Sequence, residues 1–425
     1  MGSLKAELEF KQSWKHLLRE DLKERNIYVE QHKIPLGTKK AYFQYPEKDG
    51  RYIIPDEDII YLKYDPIDKP FTERSAFNIL ILGGSGDGKS LLIKLIWFFL
   101  HEAGYYIVYC DPKSADSGRA KLAWDNPRTP PNIEPKGIKL KHYLPVFSTK
   151  NYEHLTHNFH IYSLRLYDIQ EREMWQGLGA TNKGASKVTR IIKEQGEDIT
   201  LQIINNELQV MYEEKEINSQ SLNSIESIIV DLEDFGVISE EYDSIDLMED
   251  WKNGNSICVS YNSCSYIFMT FGIGMLIHQA VRSYFTKERR KPVMFFFDDS
   301  SYYAVEKSTL LKYNLAVNEI KNIGNNYRSL GLYNLMAVQS LGIIDENVAD
   351  TYKVKIITPS FNNPEALREI NIPKKIIGIL QDNKLYRDRD RHINEYIIVF
   401  QDNTWTRFFP FMPVSNHFKE VYNTK

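Results

Sequence analysis

Residues 77–100 read FNILIL, then GGSGDGKS, then LLIKLIWFFL. An apolar run of strand length that breaks on glycines and restarts at once as an apolar helix leaves few folds open to a chain. The glycines let the backbone turn sharply, so that successive N–H groups converge. The helix N-terminus then adds positive potential at the same point. This is the G-x-x-x-x-G-K-S phosphate loop in its required context. Its residues Gly83, Gly84, Ser85, Gly86, Asp87, Gly88, Lys89 and Ser90, with Leu91 opening the helix, are the expected nucleotide-binding set. Lys89 is expected to neutralise the β- and γ-phosphates, and the Ser90 hydroxyl to ligate magnesium, which makes ATP and Mg²⁺ the expected cofactors.

A phosphate loop needs a second acidic site to manage the metal and the water. KPVMFFFDDSS supplies one, placing Asp298 and Asp299 just past five apolar residues. Asp298 is expected to hold the Mg²⁺ shell and Asp299 to polarise the attacking water. The next strand, LYNLMAVQS, delivers Gln339 at its carboxyl end, where a parallel sheet gathers ligand-binding side chains. Arg328, in NNYRSLG, precedes that strand and belongs at its opposite end. It is poorly placed for its own nucleotide and well placed for a neighbour's, as a guanidinium supplied in trans.

The 425 residues suit one large elaborated domain or two to three units. With 53 Lys+Arg against 57 Asp+Glu, the net charge of −4 announces no global field for nucleic acid. Three cysteines cannot build a disulfide framework, and Cys258 and Cys264 lack zinc-ribbon spacing, so a reducing, cytoplasmic setting is expected. The N-terminus is charged, without the apolar core of a signal peptide. Residues 253–281 carry no Asp, Glu, Lys or Arg, yet their first half is polar, and the remaining apolar run is shorter than the ~20 residues a membrane span needs. No span is expected.

Continuous apolar strands separated by helical stretches predict a parallel sheet buried on both faces. The expected strands are 77–82, 105–110, 256–261, 293–298, 332–339 and 354–358. Residues 4–25 read as an amphipathic helix, and 27–70 as a small antiparallel leader built from YVEQ, AYFQY, RYIIP and IIYLKY. Between the second and third core strands, 113–255 opens with a Pro-rich basic loop and continues with helical spacing, which predicts an inserted, mainly helical subdomain. The expected division is therefore 1–70 as leader, 71–112 with 256–425 as core, and 113–255 as insert.

With these motifs in place, the chain over about residues 70–415 resembles the HerA/FtsK superfamily of P-loop ATPases. The resemblance adds Asp111, Pro112 and Lys113 after the second strand, the succession SICVSYNS, IFMTFGIGMLIHQAVRSYF and KERRK before the acid strand, the spacing from Arg328 to Gln339, and the closing FFPFMP. It implies an α/β fold of the RecA-like (ASCE) P-loop NTPase type. It also implies an ATP hydrolase that translocates double-stranded DNA through a homo-oligomeric, typically hexameric ring, with the family's roles carried by Lys89, Ser90, Asp298, Asp299, Gln339 and Arg328. Many cellular members carry Glu where this chain has Asp299, and the short leader falls short of the HerA barrel. Both shift weight toward a viral or plasmid genome-packaging or transfer ATPase, with a nuclease, portal or other DNA-processing partner. A small-molecule kinase and a nucleotide-gated scaffold with little hydrolysis stay open as readings of another class.

Three further clusters are weaker. His154, His157 and His160 are three apart and read as polar surface rather than metal ligands. Arg387, Arg389 and Arg391 in LYRDRDRH, and the basic KERRK at 287–291, read as solvated faces or as contacts to a DNA backbone.

Overall fold

The computed structural model describes residues 26–75, 77–112, 116–146, 158–234, 238, 242–262, 264, 266–300, 315–340, 351–388 and 393–416. The strands in chain order are β1 (Lys33–Thr38), β2 (Glu47–Lys48), β3 (Arg51–Tyr52), β4 (Ile59–Lys63), β5 (Ile79–Leu82), β6 (Tyr106–Asp111), β7 (Leu140–Pro145) and β8 (His160–Tyr162). They continue as β9 (Ser256–Ser260), β10 (Val293–Phe297), β11 (Leu332–Val338), β12 (Val354–Ile357), β13 (Arg387–Asp388), β14 (Ile393–Asn394), β15 (Tyr396–Val399) and β16 (Trp405–Pro410). Twelve of them form one sheet in the order β4-β1-β16-β15-β12-β5-β11-β10-β6-β9-β7-β8, while β2–β3 and β13–β14 are separate ribbons.

From β12 to β8 every pairing is parallel, and from β15 outward to β4 every pairing is antiparallel. The central strands β5 and β10 are apolar throughout because both of their faces are covered. Alternation along β5 shows this directly: Ile79 and Ile81 join one buried cluster, Leu80 and Leu82 the other. One layer is the phosphate-loop helix Lys89–Glu102 with the leader. The other holds helices Asn182–Gln195, Leu201–Glu213, Ser219–Asp234, Tyr266–Phe285 and Leu315–Asn325.

Strand β11 lies between β5, which feeds the phosphate loop, and β10, which feeds the carboxylates. Both loops therefore leave the same edge of the sheet, two strands apart, at the crevice where open parallel sheets bind ligands. Expected and observed core strands agree to within two residues at each end.

Two regions differ in detail from their sequence reading. YVEQ is a helical turn, Ile27–Glu30, because Asn26 caps it by accepting from the Tyr28 N–H at 3.0 Å, and AYFQY is not a strand either but holds the tight helical turn Tyr42–Gln44. Residues 113–255 contribute β7 and β8 to the main sheet, so this segment is built into the core layer. Trp251 fastens it: the indole stacks on Tyr106 with centroids 4.7 Å apart, and Nε1 donates to the Ile107 carbonyl at 3.3 Å. The leader is joined through β1, which pairs with both β4 and β16. Only glycine fits at position 37, since a Cβ there would stand 2.1 Å from the Phe409 carbonyl oxygen. The amphipathic segment 4–25 lies outside the described residues, among which no helix is long and apolar enough to cross a membrane.

Candidate functional site

The phosphate loop is shaped by two kinds of glycine. Gly86 and Gly88 have φ of 80° and 90°, a region that side-chain-bearing residues avoid. Gly83 and Gly84 instead lie against the segment after β12, where added Cβ atoms would sit 2.0 Å from Thr358 Oγ1 and 2.5 Å from Ser360 Oγ. The helix begins at Lys89 behind Gly88, with no side chain capping it, so its first N–H groups are left for an anion. Lys89 is buried, and its ammonium donates to the Gly83 and Gly84 carbonyls at 2.8 and 2.7 Å.

At the end of β10, Asp298 accepts from the Tyr109 hydroxyl at 2.8 Å. Burial, and then the charges of Asp298 and Asp111, push the Tyr109 phenol well above its usual 10, so it stays a donor. Asp299 adopts φ 44°, a left-handed turn that aspartate tolerates, and accepts from the Gln339 side-chain amide at 2.8 Å. Both carboxylates are more than 90% buried.

These groups border a single cavity of about 540 Å³, which runs from Ser85–Leu91 past Asp298, Asp299 and Gln339. Asp111, Ser117 and Lys94 stand along it as well. Its far flank is aromatic and apolar with one cation: Tyr42 from the leader, Trp124 and Arg128 from the insert, Phe411 and Met412 after β16. Sequence reading missed that flank, because the three segments share no local pattern and only the sheet order brings them together. Hard oxygen donors, the Ser90 hydroxyl and the Asp298 carboxylate, face one space, a donor chemistry that fits Mg²⁺ better than a softer ion.

Arg328 is exposed in the turn Tyr327–Leu330, at the amino edge of β11 and away from the cavity. Two other basic candidates are engaged within the fold. In KERRK, Arg289 is 2% exposed and donates to the carbonyls of Ala280, Lys291 and Leu330 at 3.2, 2.9 and 2.6 Å, so it is a structural tie and not a surface contact. Arg387 turns inward to Asp87 at 3.1 Å, while Arg389 and Arg391 lie outside the described residues. His160 sits against Tyr143, His154 and His157 fall outside the described residues, and among the described residues no cluster of three or more His, Cys, Asp or Glu is placed to hold a metal.

No protein-family model and no curated protein matches the chain. Among solved structures it is similar to the plasmid coupling protein TrwB in complex with a non-hydrolysable ATP analogue, at 13% identity over 91% of this chain and 96% of that one, with a TM-score of 0.49. It is also similar to TrwB with a GTP analogue, at 12% identity over 91% and 97%, with a TM-score of 0.48. A third is the genome packaging NTPase B204 from Sulfolobus turreted icosahedral virus 2, at 11% identity over 79% and 98%, with a TM-score of 0.36. At such identities and TM-scores, function has to be read from the cavity's own residues. By its own strand order, with a phosphate loop after β5 and paired carboxylates after β10 across the intervening β11, the chain has the P-loop NTPase fold.

Proposed function

We propose that the chain is an ATP-hydrolysing motor that drives double-stranded DNA, and that it works as a homo-oligomeric ring with its reaction sites between subunits. One observation carries this reading: Lys89, Ser90, Asp298, Asp299 and Gln339 gather at the carboxyl edge of the sheet, whereas Arg328 stands exposed at the amino edge. A site with its cation, metal ligands and water-handling groups in one copy, and its guanidinium directed elsewhere, is completed by a second copy. We place the motor core in 71–112 and 256–425, to whose sheet 1–70 adds β1 and β4 and 113–255 adds β7 and β8.

In this mechanism the loop N–H groups and the helix N-terminus bind the triphosphate, and Lys89 exchanges the Gly83 and Gly84 carbonyls for phosphate oxygens. Ser90 and Asp298 are the residues to hold Mg²⁺, which supplies charge neutralisation on the phosphates. Asp299 orients the water for in-line attack and accepts its proton, with Gln339 fixing the carboxylate through the bond it already makes. The nucleoside takes the flank formed by Tyr42, Trp124 and Arg128.

The test is steady-state turnover with and without linear duplex DNA, together with the mass of the assembly in ATP. DNA-stimulated hydrolysis by an oligomer is expected, and Lys89→Ala is expected to reduce it by on the order of 10³. Full-speed turnover by a monomer indifferent to DNA would overturn the motor reading in favour of a kinase. Turnover retained in Lys89→Ala would overturn the site itself.

A further inference from the structure

Asp87 is an acidic residue inside a loop whose business is to hold phosphate, and its side chain is fully buried. Its partners come from three parts of the chain. One carboxylate oxygen accepts from the Gly84 N–H at 3.0 Å and from the hydroxyls of Thr358 and Ser360. The other accepts from Arg387 Nη2 at 3.1 Å. Its backbone carbonyl accepts from Asn394 Nδ2 at 3.4 Å and from the Tyr396 hydroxyl. The same Tyr396 hydroxyl would lie 2.8 Å from a Cβ at Gly88.

Arg387 and Asn394 face each other across the two-residue ribbon β13–β14, where their Cα atoms pair. The ribbon is braced from outside the loop: Glu395 accepts from the Tyr386 N–H at 3.1 Å and pairs with Arg407 at 3.7 Å. One ribbon therefore holds both the side chain and the carbonyl of a single phosphate-loop residue.

We propose that Asp87 and Arg387 form a positioning pair, in which Arg387 cancels a buried carboxylate that would otherwise repel the incoming polyphosphate, and through which the β13–β14 ribbon sets the shape of the phosphate cradle. The inference rests on the nucleotide-binding reading of the loop. A carboxylate stripped of its cation inside the cradle is costly in itself and opposes a second anion nearby. The effect of losing Arg387 therefore depends on Asp87 being charged, which a merely structural arginine would not require.

The experiment is calorimetric titration of ADP into the full chain and five variants, Arg387→Gln, Arg387→Lys, Asp87→Asn, the Asp87→Asn/Arg387→Gln double and Lys89→Ala, with thermal unfolding of each nucleotide-free protein alongside. Arg387→Gln is expected to weaken ADP binding by about tenfold, and Arg387→Lys, which keeps the charge, by less. Asp87→Asn in the Arg387→Gln background is expected to restore affinity to within about threefold of the parent. Lys89→Ala weakens ADP binding. If Arg387→Gln binds ADP like the parent, or if the double variant loses the sum of the two single effects, the pair has no such role and this inference falls alone. A parent chain that binds no ADP would overturn the nucleotide reading and this inference together.

Discussion

The two edges of the parallel sheet use their cations in opposite ways. At the carboxyl edge, Lys89 and Arg387 sit among loop carbonyls and a carboxylate, partners that can be exchanged for phosphate or must be balanced against it. At the amino edge, Arg74 and Arg289 are buried and spend their donors on backbone carbonyls: Lys69, Pro66 and Ile67 for Arg74, and Ala280, Lys291 and Leu330 for Arg289. Such guanidiniums act as ties, adding donors to carbonyls of the loops and helix ends packed against this edge. Burial pulls Arg289 down to about 10, still well above neutrality, so it remains charged. A count of basic residues thus says little about anion binding at either edge. Arg328 stands out at the amino edge because it is exposed on a turn that buried groups hold in place.

The largest effect expected at the amino edge belongs to that residue. Arg328→Ala should lower turnover by about 10³ while leaving ADP affinity within about twofold. Mixing Arg328→Ala with Lys89→Ala subunits should recover part of the activity, because mixed assemblies contain some interfaces with both groups intact. Recovery absent at every mixing ratio would mean that the two edges do not meet in trans. Next is Arg289→Ala, which removes one donor from each of three carbonyls and should cost about 3 kcal/mol in denaturant unfolding. Since one of these is Leu330, in the turn that carries Arg328, DNA-stimulated turnover should fall with it.

The smallest effect is on pH dependence. His101, near the amino-edge end of the phosphate-loop helix, shares a hydrogen bond of 2.9 Å with Ser256, and burial lowers its pKa below the usual 6.5. The unfolded chain therefore takes up the proton first. This contribution to stability is intact above about pH 6.5 and is lost as pH falls below it, by at most about 1.4 kcal/mol per pH unit. His101→Gln should flatten that part of the acid limb in unfolding curves taken between pH 5 and 8.

What could be read from the sequence was what lies in one stretch of chain. The glycine loop between β5 and its helix, and the carboxylates that end β10, are local patterns, and both stand where the pattern puts them. The strand order is set by pairings over long separations, so β7 and β8 could not be assigned to the sheet from a Pro-rich, basic segment. Arg289 and Arg387 read as surface charge because a short run of Arg and Lys carries no sign of which one turns inward. Asp87 teaches the same: a carboxylate within a phosphate loop needs a counter-charge, and no local pattern says that it comes from Arg387, 300 positions away.

The pairing of β1 with β16 also bears on how the molecule is made. The Tyr42 hydroxyl reaches the Phe409 carbonyl at 2.9 Å across 367 positions of chain, and these same two segments wall the flank assigned to the nucleoside. During synthesis Tyr42 emerges 367 positions ahead of Phe409, so the pocket stays open until β16 has been made. Contacts so distant along the chain form late and slowly. A nascent chain thus carries an unfinished phosphate-loop pocket until β16 arrives.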